Sequence, residues 1–74
     1  MARLPNLKTK KLLAVLKRAG FVPYDQEGSH LYLRHSLTKI TTSVPMHSGE
    51  INRSLMKLII KQAGLSENEF RKYL

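Results

Sequence analysis

Apolar residues recur at helical spacing in two separate stretches of this chain, and between them the period falls toward two. In the first stretch Leu12, Leu13, Leu16 and Ala19 mark one side of a helix. Thr9 is placed as its N-cap, because a hydroxyl there can accept from a free backbone N–H. Gly20 ends the helix by offering the left-handed conformation, and Lys17 and Arg18 stand near the negative end of its dipole. Phe21–Asp25, Ser29–His35 and Ile40–Val44 then read as three short strands rich in aromatic and β-branched residues. The loops between them are short and polar, which predicts an antiparallel meander, and Pro23, which cannot donate to a ladder, makes the first strand an edge strand. Asn52 is placed as the N-cap of a second helix, with Ile51 and Met56 as a hydrophobic staple, Leu55, Leu58, Ile59 and Gln62–Ala63 as a face, and Gly64 as its end. Ser66 and Glu69 match a capping box, predicting a short third helix over Glu67–Tyr73 that packs Phe70 and Leu74. Residues 1–74 are therefore expected to form a single α+β domain, a two-layer αβββα sandwich with helices on one face of a three-stranded antiparallel sheet and an extra C-terminal helix.

The first hairpin decides which side chains face out. A three-residue loop Gln26-Glu27-Gly28, with Gly28 in the left-handed position, is favoured because a two-residue turn there would force Glu27 to positive φ. That register pairs Tyr24 with His30 and puts Phe21, Leu31 and Leu33 on the helix-covered side. With the shorter turn Asp25 lies opposite His30, where a carboxylate would favour the charged imidazole. In both cases His30, Tyr32 and Arg34 share the open face, joined by Thr41 and Ser43 if His35 pairs with Ile40. An imidazole, aromatic rings, a guanidinium and small hydroxyls can hold phosphate and stack bases, although any basic protein with a half-exposed strand shows some such row.

Charge points the same way. Thirteen Lys and Arg against five Asp and Glu give a formal net charge of +8, which attracts polyanions and makes nucleic acid the first partner to consider. Lys10, Lys11, Lys17 and Arg18 on the first helix, and Arg53, Lys57 and Lys61 on the second, form solvated basic faces. With 74 residues the chain can build one modest core and no deep cofactor cavity. No cysteine is present, so disulfides, thiolate catalysis and Cys-ligated zinc are excluded, and His30, His35 and His47 lack close ligand spacing; neither metal nor other cofactor is expected. No apolar run approaches membrane-spanning length, and Met1 to Lys11 has no signal-like apolar run, so a cytoplasmic location is expected, without membrane attachment.

Gly28-Ser29-His30, preceded by Ala19-Gly20-Phe21 and followed by Val44-Pro45 and Lys61-Gln62-Ala63-Gly64-Leu65, resembles the HicA family of type II toxins over about Thr9 to Phe70. The resemblance implies a fold similar to double-stranded-RNA-binding domains and a metal-independent ribonuclease that cleaves messenger RNA and halts growth. It also implies a HicB antitoxin covering the active site, and it assigns the catalytic histidine of the Gly-Ser-His motif to His30. Glu27 stands where many members carry a basic residue.

Histidine suits such chemistry, because its reference pKa of ~6.5 keeps proton donor and acceptor forms populated near neutrality. Gly28, Ser29, Tyr32 and Arg34 are the candidate RNA contacts around His30. His47, in the loop before the second helix, is placed to join them. His35 has core parity or sits at a strand end, which favours packing or a hydrogen bond. A non-catalytic RNA-binding module, a docking protein for an acidic partner, and a DNA binder using the second helix are the competing readings, the last weakened by the lack of a helix-turn-helix pair.

Overall fold

The computed structural model describes residues 4–46 and 49–74. Its elements run α1 (Thr9–Arg18), β1 (Phe21–Glu27), β2 (His30–His35), β3 (Thr41–Pro45), α2 (Arg53–Gln62) and α3 (Glu67–Lys72). The strands form one antiparallel sheet in the order β1-β2-β3, so β1, with Pro23, is an edge strand as expected. The fold is α+β, with helices on one face of the sheet and the other face open.

The core lies between that sheet and the helices. Phe21, Leu33 and Val44 from the strands meet Leu12, Val15 and Leu16 of α1, Met56, Ile59 and Ile60 of α2, and Phe70 of α3, all buried. Full burial of each such side chain contributes about 1.5–3 kcal/mol. Leu58, expected on the buried face of α2, is instead exposed, and Met56 and Ile60 take the inward positions. Leu74 is also exposed.

Thr9 is the first helical residue of α1, and the N-cap is Lys8, which offers no side-chain cap. Tertiary pairing fixes this helix start: Lys8 bridges to Glu50, and Ile51 N–H donates to the Leu7 carbonyl at 2.8 Å. The same pairing buries Leu4 and Leu7, which no periodic pattern marked. Asn52 does cap α2, its Oδ1 accepting from the Ser54 and Leu55 amides at 2.8 and 3.3 Å. Ser66 and Glu69 form the complete capping box of α3.

The sheet departs from the expected strand boundaries at the first hairpin. β1 runs on to Glu27, which pairs with His30, so the turn residues are Gly28 and Ser29. Gly28 has φ +55°, the conformation a tight hairpin needs at its first central position. Neither anticipated register occurs, because the turn is centred on Gly28–Ser29, and beyond it a bulge between Pro23 and Asp25 inserts one further residue into β1. The second hairpin follows the expectation: His35 N–H donates to the Ile40 carbonyl at 2.9 Å, and Arg34 pairs with Thr41.

Candidate functional site

The alternation of β2 builds the site. Leu31 and Leu33 turn toward the helices, so His30, Tyr32 and Arg34 turn to the open face. Across β3 these three meet Pro45, Ser43 and Thr41, and across β1 they meet Glu27, Asp25 and Val22. His30 is exposed, and among the described residues its ring makes no hydrogen bond or ion pair, although Glu27 stands opposite it. Both ring nitrogens are therefore open to a ligand.

Gly28 and Ser29 bring the chain round immediately before that imidazole. A Cβ added at Gly28 would meet no heavy atom of the described residues within 4 Å, so the turn backbone is open to close approach. The Ser29 carbonyl accepts from the Met46 amide, which ties the turn to the end of β3, while the Ser29 side chain is exposed.

The bulge has a consequence on the same face. Where two residues of β1 oppose one of β2, Tyr24 is turned toward the open side beside Tyr32 and Arg34. The two tyrosine rings lie 6.4 Å apart at 48°, and the Arg34 guanidinium carbon sits 4.5 Å from the Tyr24 ring centroid. The sequence places Tyr24 on the open face opposite His30; the Gly28–Ser29 turn and the bulge together put it next to Arg34. On the other side of Tyr32 an open hollow of about 330 Å³ is lined by Tyr32, Thr41, Thr42, Ser43 and Gln62. Gln62 was read from the sequence as part of the packed helix face, and its polar character in the last turn of α2 was the available signal.

His35 has a structural occupation. Its Nδ1 accepts from the Leu37 and Thr38 amides at 3.1 and 3.2 Å, which leaves the proton on Nε2 to donate to the Ala19 carbonyl at 3.0 Å. The ring also meets Phe21 edge-on at 5.1 Å. His47 lies outside the described residues. Among the described residues no group of three His, Asp or Glu is arranged to hold a metal ion, and no helix is long and apolar enough to cross a membrane.

A family model for the HicA toxin of bacterial toxin–antitoxin systems matches residues 9–65. The chain belongs to the HicA toxin family. No curated protein matches it. The matched span begins at the first residue of α1 and closes just past α2, so it contains the whole sheet, the Gly28–Ser29 turn and His30. As a HicA toxin the chain is one member of a toxin–antitoxin pair, whose other member is an antitoxin.

Proposed function

We propose that this HicA toxin is a metal-independent endoribonuclease that cuts messenger RNA and arrests growth, with His30 as its catalytic residue. The observation that carries the reading is the His30 imidazole, exposed on the open sheet face with both nitrogens unengaged among the described residues, in a chain of net charge +8. The neutral imidazole takes the proton of a ribose 2′-hydroxyl as that oxygen attacks phosphorus. A new P–O2′ bond forms, the P–O5′ bond breaks, and the imidazolium returns the proton to the departing 5′-oxygen. The products are a 2′,3′-cyclic phosphate and a 5′-hydroxyl.

Around the reacting linkage, the Gly28 backbone admits the phosphodiester chain and the Ser29 hydroxyl holds a phosphate oxygen. Tyr32 stacks a base, and Arg34, further along β2, holds a backbone phosphate of a neighbouring nucleotide. His47 is assigned an RNA contact on its sequence position alone. A HicB-type antitoxin neutralises the toxin by covering this face.

Replacing His30 with Ala tests the assignment. The variant is expected to lose cleavage about 10²–10⁴-fold while still binding RNA, and to stop arresting growth on expression. Growth arrest undiminished in His30→Ala, or a 3′-hydroxyl on the upstream fragment, overturns it. The antitoxin is expected to compete with RNA; a ternary complex that still cleaves argues against a shared surface.

A further inference from the structure

We infer that Tyr24 and Arg34, with Tyr32 beside them, form a platform that stacks one unpaired nucleobase of single-stranded RNA next to the linkage cut at His30. The inference rests on the ribonuclease reading above and adds a subsite to it.

Three observations converge on this patch. Arg34 lies over the Tyr24 ring at 4.5 Å, so its plane is held in position by a cation–π contact. Among the described residues Arg34 forms no salt bridge and donates no hydrogen bond to the protein, even with Asp25 on the neighbouring strand, so its donors remain available to a phosphate. Tyr24 is 48% exposed, and its ring meets Tyr32 at 48°, so the two rings do not stack on each other and Tyr24 keeps aromatic surface open to solvent. The bulge is what creates this: an uninterrupted alternation would give Tyr24 and Asp25 opposite faces.

Spacing ties the patch to the chemistry. Along β2, Tyr32 and Arg34 stand about 7 and 14 Å from His30, a reach of roughly one to two extended nucleotides. Stacking on an aromatic ring requires a free base face, which a duplex hides, so the ligand is single-stranded. The Thr41 and Ser43 hydroxyls and the Gln62 amide around the hollow beyond Tyr32 offer hydrogen bonds to the sugar of the same nucleotide.

The test uses a short single-stranded RNA that the wild-type protein cuts, and the same RNA with single abasic positions on either side of the cut. Binding is measured separately in a His30→Ala background, so it does not depend on cleavage. Tyr24→Leu is expected to raise KM and the binding Kd about tenfold with kcat little changed, and Tyr24→Phe to restore wild-type values. One abasic position should weaken binding to the His30→Ala protein, and that penalty should disappear when Tyr24→Leu is added. If Tyr24→Leu binds as tightly as its parent, or the abasic penalty survives it, the platform is wrong while cleavage dependent on His30 stands. If the wild type cuts no RNA, the ribonuclease reading fails, and the binding series alone upholds or overturns the platform.

Discussion

Replacing Gly20 with Ala should be one of the costliest single-methyl additions in this protein. Gly20 follows α1 with φ +109°, a region where a side chain costs about 1–2 kcal/mol. An added Cβ would also stand 2.7 Å from His35 Nε2 and 3.2 Å from its Cδ2 and Cε1. The ring cannot yield freely, because it holds the Ala19 carbonyl through Nε2 and the Leu37 and Thr38 amides through Nδ1. Displacing it forfeits one or two of these hydrogen bonds, worth about 1 kcal/mol each in net terms, so the total comes to about 3 kcal/mol. A domain of this size has about 4–11 kcal/mol of stability in all, and the loss corresponds to a fall of about 12–24 °C in Tm. Gly49 supplies a matched control: its φ is +99°, but among the described residues no heavy atom lies within 4 Å of its Cβ position, so Gly49→Ala should cost only the backbone share. Urea and thermal melts of both variants, and of Gly20→Ala in a His35→Ala background, separate the two contributions. Equal losses in Gly20→Ala and Gly49→Ala, or an undiminished loss once the imidazole is gone, would refute the steric reasoning.

Two further outcomes follow from the helices. Phe70 is fully buried and joins α3 to the core, so Phe70→Ala should cost about 3–5 kcal/mol in a denaturant melt; a loss below 1 kcal/mol would mean that α3 does not share the main core. The hydrogen bonds from the Ser66 backbone and side chain hold the Glu69 carboxyl below its ordinary value of 4.5. A depressed folded-state pKa stabilises above the unfolded value and loses that stabilisation as pH falls through the folded one. Wild type should therefore exceed Glu69→Gln in stability near neutrality, with the gap closing below about pH 4.5; a gap independent of pH would show that the carboxylate is not the capping species.

How much of this was legible in the sequence depends on whether a local rule governed each element. Asn52 and the Ser66–Glu69 pair were readable because a cap is satisfied within three residues of itself. The start of α1 was not, because the pairing of Leu7 and Lys8 with Glu50 and Ile51 joins segments far apart in the chain. The hairpin shows the same division. The outward row of His30, Tyr32 and Arg34 follows from alternation within β2 alone and survives any turn chosen at Gly28. The partners of that row on β1 depend on where the turn is centred and on a bulge that adds one residue without any mark in the hydrophobic pattern. The turn centred on Gly28–Ser29 puts Glu27 opposite His30, where the sequence points to Tyr24 or Asp25, and the contact between Tyr24 and Arg34 depends on the bulge.

The two described histidines show how the same side chain acquires opposite roles from parity. His30 and His35 begin and end one strand an odd number of residues apart, so alternation sends them to opposite faces. On the covered side the His35 ring finds a carbonyl, two amides and a phenyl edge, and every polar atom it has is committed to holding the α1–β1 and β2–β3 connections together. On the open side His30 finds no partner among the described residues. Its removal should leave the core untouched and cost within about 0.5 kcal/mol, the usual range for an exposed residue. On the proposed reading stability and activity are carried by different faces of one strand, so a loss of function in a His30 variant would be attributable to the imidazole itself and not to unfolding.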